Sequence, residues 1–158
     1  MEYLCRIIFH DDYNTLMKYM LFTMLLVTKD MPGYVPGHWI VITCGDGYII
    51  KQRLDDKFEY DRLPQKEYPN YYAYNFCPQL GLRIESKINA YSTKEYKNIG
   101  VATDGLRFIL GTDLQERFEQ CLINNSAAGI GRMFYSDYRE AIKRDGMGNL
   151  IDDLAIAF

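Results

Sequence analysis

The two histidines are the side chains best suited to general acid–base chemistry near neutral pH. His10 ends the first predicted strand and His38 begins the second, so adjacent strands would bring the two rings close together. Two-histidine sites of this kind carry Thr or Ser two residues after each histidine, whereas this chain has Asp12 and Ile40 there. We therefore interpret both histidines as residues at strand ends, and the sequence assigns no catalytic residue.

A Glu-Ser-Lys triplet on a predicted strand, Glu85 to Lys87, has the spacing of carboxylate and lysine in Mg²⁺-dependent nucleases. Such a site also needs an aspartate on a paired strand, and the nearest, Asp61, falls in a segment predicted to be a loop. The same spacing recurs at Glu95 and Lys97, which shows how little it specifies. We interpret these charges as a solvated strand face and predict no metal site and no cofactor.

The four cysteines lie more than thirty residues apart, each among apolar neighbours, and none forms a Cys-x-x-Cys pair. Isolated cysteines in apolar surroundings behave as small buried hydrophobic residues. We predict reduced thiols in the core, and with them a cytoplasmic location, because disulfides are rare in the cytosol.

Composition argues for a single folded domain over residues 1–158. The chain is 48% hydrophobic, which is too apolar for intrinsic disorder, and its net charge of −3 favours neither nucleic acid nor an anionic membrane as partner. The most apolar stretch, Leu16 to Val27, would make about 18 Å of helix, short of the roughly 30 Å hydrocarbon core of a bilayer. We therefore expect no membrane association.

Hydrophobic periodicity and turn residues predict a mixed α and β chain. The predicted strands are Tyr3 to Phe9, His38 to Cys44, Tyr48 to Arg53, Leu80 to Tyr91, Leu106 to Leu110 and Arg132 to Tyr135. The predicted helices are Tyr13 to Lys29, one opened by a Thr112–Gln115 capping box, Ser136 to Arg144, and a last turn or two over residues 150–158. Gly45-Asp46-Gly47 predicts a hairpin between the second and third strands, and Gly129 and Gly131 predict the end of the second helix.

This order resembles a ferredoxin-like β-α-β-β-α-β sandwich with an insertion at about residues 54–79 and an extra C-terminal helix. The resemblance is to element order alone, and it implies an α+β fold with helices on one face of an antiparallel sheet. The residues predicted to form the core are Ile8, Leu21, Leu25, Ile40, Ile42, Ile49, Leu110, Leu114, Phe118 and Leu122. The first helix is apolar nearly all round, so we also predict a homo-oligomer, or cover by the insertion, over its surplus apolar surface.

Tyrosine is the most distinctive residue type, with fourteen in all and seven between Tyr60 and Tyr96. The segment 51–97 has nine basic and seven acidic residues, so it is net positive in an acidic protein. Tyrosine offers a large contact area at low entropic cost, which is typical of protein-recognition surfaces. Such rings also stack on nucleobases, or cover a second small core. The predicted partner-binding residues are Tyr71, Tyr72, Tyr74, Arg62, Lys66 and Arg83.

The sequence thus favours a non-catalytic cytosolic binding protein with a macromolecular protein partner. The composition is similar to that of phage and mobile-element inhibitors of host defence proteins, although no single motif supports this. The alternative is a small nucleotide-binding protein, or a phosphodiesterase-like enzyme, acting on a nucleotide ligand. Whether the chain is an enzyme is left open by its sequence.

Overall fold

The computed structural model describes residues 23–64, 71, 74, 84, 86–133 and 154–158. The strands among them are β1 (Met24–Lys29), β2 (His38–Cys44), β3 (Tyr48–Arg53), β4 (Phe58–Arg62), β5 (Lys87–Ser92), β6 (Tyr96–Ala102) and β7 (Ile156–Ala157). The helices are a 3-10 helix (Asp104–Phe108), α1 (Leu114–Ile123) and α2 (Ala127–Met133). The predicted strand Tyr3 to Phe9 and helix Ser136 to Arg144 lie outside the described residues.

The chain divides into two compact units, each described by itself. Unit 1 comprises Met1–Asp46 and Leu63–Tyr91, and unit 2 comprises Gly47–Arg62 and Ser92–Phe158. The described strands form two antiparallel sheets, ordered β1-β2-β5 and β4-β3-β6-β7. With the helices, they make an α+β fold. The ferredoxin-like topology is not confirmed, since the strands divide between two sheets, and the single domain stays a prediction.

Strand β1 corrects the last part of the helix predicted from Tyr13 to Lys29, because Met24–Lys29 is extended. Residues 13–22 of that prediction lie outside the described residues. It pairs antiparallel with β2, from Met24 opposite Cys44 to Lys29 opposite Trp39. A continuous apolar run fits a buried helix and a sheet strand equally well. The β-branched Val27 and Thr28, together with pairing to β2, favour the strand here.

The predicted hairpin at Gly45-Asp46-Gly47 is wrong, since β2 and β3 belong to different sheets. Gly45 and Gly47 have φ angles of 116° and 130°, far from the left-handed values near 60° of a type I′ turn. The Thr23 hydroxyl donates to Asp46 Oδ1 at 2.6 Å. A Cβ on Gly45 would lie 2.9 Å from Thr23 Cα, so glycine is required by this close approach. The Gly-Asp-Gly segment carries the chain from one sheet to the other.

The core of unit 2 lies between one face of its sheet and α1. Tyr48 and Ile50 of β3 point to this face with Ala102 of β6, and they pack against Phe118 and Leu122. Five predicted core residues are buried as expected: Ile40, Ile49, Leu114, Phe118 and Leu122. Leu25, Ile42 and Leu110 are only half-buried, and Ile8 and Leu21 lie outside the described residues.

Three strands of unit 2 were missed by sequence reasoning, namely β4, β6 and the C-terminal β7. Strand β4 lies in the segment that its charges, Pro64 and Pro69 predicted to be irregular, and it ends before Pro64. Strand β6 pairs with β3 from Tyr96 to Ala102. The strand predicted at Leu106 to Leu110 is wrong, because Asp104–Phe108 forms a 3-10 helix that buries Leu106 and Ile109 completely.

The start of α1 confirms the predicted capping pattern only in part. Leu114 N–H donates to Thr112 Oγ1 at 3.2 Å, so the threonine hydroxyl satisfies one backbone donor of the first helical turn. Gln115 Oε1 accepts the N–H of Gly111, which lies before the helix, at 2.7 Å. The N-cap is Asp113, and its side chain makes no capping hydrogen bond.

The C-terminal elements differ from the predicted ones. Gly129 and Gly131 lie inside α2, and Arg132 is helical where a strand was predicted. Ile156–Ala157 is strand β7, paired with Val101 and Ala102 of β6, where a C-terminal helix was expected. Alternating Leu154, Ile156 and Phe158 pack against the unit 2 core, a spacing of two that suits a strand.

Candidate interaction surface

Of the six predicted partner-binding residues, three are described. Arg62 ends β4 in unit 2 and is exposed, whereas Tyr71 of unit 1 is half-buried. Tyr74 is only 7% exposed, and its ring meets that of Tyr71 edge-on, with 5.9 Å between centroids. Tyr72, Lys66 and Arg83 lie outside the described residues. The structure thus brings Tyr71 and Tyr74 together, with little of Tyr74 accessible to a partner.

The charged side chains of the unit 2 sheet bind one another. The Lys51 ammonium contacts Glu59 Oε2 and Asp61 Oδ1, each at 3.0 Å, and Arg53 Nη1 contacts Glu59 Oε1 at 3.0 Å. Burial acts to lower the pKa of Lys51, but the hydrogen bonds to Glu59 and Asp61 outweigh it and the pKa is raised. Hydrogen bonds from Lys51 and then Arg53 lower the pKa of Glu59. This network favours the charged forms, and it stabilises the sheet rather than exchanging protons near neutral pH.

A second set of side-chain hydrogen bonds joins β4 to α1. Tyr60 O–H donates to Glu119 Oε1 at 2.9 Å, and Gln115 Nε2 donates to the same oxygen at 2.9 Å. Burial, then the hydrogen bond to Glu119, raises the pKa of Tyr60, so the phenol stays protonated. These hydrogen bonds, like the Lys51 network, also have a structural role.

Among the described residues of unit 1, the loop between β1 and β2, residues 30–37, is the most distinctive surface. Tyr34 N–H donates to the Met31 carbonyl at 3.1 Å across Pro32 and Gly33, and Gly33 has a φ of 86°. Proline followed by a glycine of positive φ is the pattern of a type II turn. Tyr34 and Val35 follow this turn at 40% and 67% exposure.

Further hydrogen bonds close the β1–β2 loop at its base. Asp30 N–H donates to the His38 carbonyl at 3.0 Å, and Asp30 Oδ1 accepts the Gly37 N–H at 2.7 Å. His38 Nδ1 lies 3.1 Å from the Pro36 carbonyl oxygen, which can only accept, so this nitrogen carries the proton. His38 is thus held at the start of β2, in line with its interpretation as a strand-end residue.

Strand residues next to the loop add a cation and an aromatic ring. The exposed Lys29 ammonium lies 5.5 Å from the ring centroid of Trp39, its partner across the two strands. Among the described residues, Trp39 Nε1 is the one buried side-chain polar atom without a hydrogen-bond partner. The loop and this pair form a surface that combines an exposed tyrosine, an exposed valine and a lysine.

Sequence reasoning missed the β1–β2 loop. Met31-Pro32-Gly33 directly follows the helix predicted from Tyr13 to Lys29, where a proline is expected to end a helix, although Pro-Gly occurs twice in the segment, at 32–33 and 36–37. Paired Pro-Gly dipeptides signal turns. Tyrosine and valine between two such turns are the signal that could have identified an apolar loop tip.

Within the described ranges, no group of three His, Cys, Asp or Glu side chains is placed to hold a metal ion. No helix in the described part of the chain is both long and apolar enough to cross a bilayer. Cys44 and Cys121 are thiols, and burial raises the pKa of Cys44. No protein-family model, curated protein or solved structure matches this chain.

Proposed function

We propose that this protein is a non-catalytic binding protein whose β1–β2 loop contacts a partner protein. The observation that carries the proposal is the exposure of Tyr34 and Val35 at the tip of a loop held by hydrogen bonds and two prolines. Binding energy concentrates in a few residues, among which tyrosine is enriched. A loop already held in one conformation loses less entropy when a partner binds it.

The tyrosine-rich segment remains a second proposed source of partner contacts; of its described residues, Tyr71 belongs to unit 1 and Arg62 to unit 2. Inhibition of a host defence protein, a cytoplasmic location and self-association remain predictions from composition and from the apolar N-terminal segment. The ferredoxin-like topology likewise remains a prediction.

The alternative of a nucleotide ligand draws on one hollow in unit 2. It has a volume of about 540 Å³, and its lining includes Arg117 and Arg132 together with Glu116. Guanidinium groups bind phosphate well, but the carboxylate offsets part of their charge, and both arginines make other contacts. The β1–β2 loop therefore supports the leading proposal more directly.

The test compares two exposed apolar loop tips. The double variant Tyr34→Ala/Val35→Ala alters the β1–β2 loop, and Leu54→Ala alters the β3–β4 turn, where Leu54 is 60% exposed. Purified wild-type protein and both variants are used to retain proteins from a lysate of the source cells, which are identified by quantitative mass spectrometry. The identified partner is then purified and titrated against each protein by calorimetry.

We expect the double variant to lose about tenfold or more in affinity, the loss of a hot spot, while Leu54→Ala stays within about twofold of wild type. Both should melt within a few degrees of wild type, since exposed substitutions change stability little. Equal affinity in wild type and the double variant, or an equal loss in Leu54→Ala, would contradict the proposed contact.

A further inference from the structure

Unit 2 contains an apolar cavity between α1, α2 and the C-terminal strand. Its volume is about 460 Å³, which is within the range of about 300–1,000 Å³ that is usual for small-molecule sites. The apolar side chains that line it are Leu122, Ala127, Ile130, Leu154, Ile156 and Phe158. Cys121, Asn125, Ser126 and Gly131 complete the described lining.

The charge and polarity of this lining restrict the ligand. None of the described residues that line the cavity has a charged side chain, and moving an unpaired ion into apolar surroundings is strongly unfavourable. Polar groups are contributed by Asn125 and Ser126, neighbours in the turn between α1 and α2. Ser126 Oγ accepts the Gly129 N–H at 3.0 Å, which leaves its hydroxyl hydrogen able to donate.

From these observations we propose that the cavity binds an uncharged, largely apolar small molecule whose one polar group lies beside Asn125 and Ser126. A cavity of about 150 Å³ with apolar walls takes up benzene, so this one has room for a ligand of two or three rings. An apolar ligand that binds there removes the apolar lining from water, which is favourable. The cavity is in unit 2 and the β1–β2 loop is in unit 1, so this inference does not rest on the proposed function.

Two fluorescent probes with the same aromatic skeleton test the charge requirement. N-phenyl-1-naphthylamine is neutral, and 1-anilinonaphthalene-8-sulfonate adds one sulfonate. We expect saturable binding of the neutral probe with a dissociation constant below about 100 µM, a modest affinity for a ligand of its size. The sulfonate should bind about tenfold more weakly or worse, because its charge meets an uncharged lining.

A matched pair of variants on α2 locates the binding. Gly131 lines the cavity, and a Cβ there meets no atom within 4 Å, so a side chain can begin at this position without a clash and Gly131→Trp is chosen to fill cavity space. Ala128 is exposed on the same helix and is not among the lining residues, so Ala128→Trp is the control. We expect Gly131→Trp to weaken neutral-probe binding about tenfold or more, because its side chain fills cavity space. Ala128→Trp should leave the affinity for the probe unchanged, because it does not fill the cavity.

The proposal is overturned if the neutral probe does not bind saturably, if the sulfonate binds as well as the neutral probe, or if Gly131→Trp binds the neutral probe like wild type.

Discussion

Replacement of Phe118 by alanine tests the packing of α1 on the unit 2 sheet. Phe118 is fully buried, between strand residues that include Tyr48 and Ile50 and the 3-10 segment with Leu106 and Ile109. These neighbours belong to a hydrogen-bonded sheet and a tight turn, so they can close the vacated space only in part. A Phe→Ala change in such a site destabilises by about 3–5 kcal/mol. At about 2–4 °C per kcal/mol for a chain of this length, the melting temperature should fall by roughly 6–20 °C.

Two further variants make the test specific to this position. Phe118→Leu keeps most of the volume and should destabilise by less than about 1.5 kcal/mol. Ile123→Ala, on the same helix at 37% exposure, should destabilise by less than about 1 kcal/mol, since exposed positions contribute little. Urea unfolding followed by circular dichroism gives all three values. If Phe118→Ala lies within about 0.5 kcal/mol of wild type, or Ile123→Ala is equally harmful, α1 does not pack through the face described.

The paired carboxylates and the C-terminal strand give two more predictions. The pKa of Glu59 is lowered by Lys51 and then Arg53, so its stabilising contribution is present above the ordinary glutamate pKa and is lost as pH falls through the folded-state value. The free energy of unfolding in urea should therefore fall between pH 7 and pH 3, and it should fall less in Glu59→Gln than in wild type. The control Glu116→Gln, at an exposed helix position, should lose as much as wild type. A Cβ on Gly100 would lie 2.5 Å from Phe158 Cδ2, so Gly100→Val should loosen the pairing of β7 with β6. Carboxypeptidase should then digest the C-terminal residues faster in this variant than in wild type. An unchanged digestion rate would contradict that pairing.

The elements that sequence predicted well are those whose signals are local. The apolar positions Leu114, Phe118 and Leu122 recur every four residues, and the Thr112 hydroxyl accepts a hydrogen bond from the first residue of the helix that they define. Strands β2 and β3 match their predicted bounds, because each is a β-branched run ended by glycine or by charged residues. In each case the neighbours in sequence determine the structure, and no distant partner is needed.

The elements that sequence missed depend on distant partners. Ile156–Ala157 is a strand only because it pairs with Val101 and Ala102, some fifty residues earlier. Gly100 permits that pairing by letting Phe158 approach the backbone. A two-residue strand has no periodicity of its own, so its apolar residues were attributed to a helix. Likewise β6 contains the polar Lys97 and Asn98 and the glycine, and its strand character follows from its pairing with β3.

The error over β1 also explains why the β1–β2 loop was missed. When Met24–Lys29 is taken as helix, the proline and glycine that follow have the sole role of ending it. When the same residues are a strand paired with β2, Pro32 and Gly33 form a turn inside a hairpin, and Tyr34 and Val35 must lie at its tip. Tyrosine counting instead led to the segment 60–96, where Tyr74 is buried. Exposure follows from strand pairing, which decides whether a tyrosine faces the core or solvent, and composition does not contain that information.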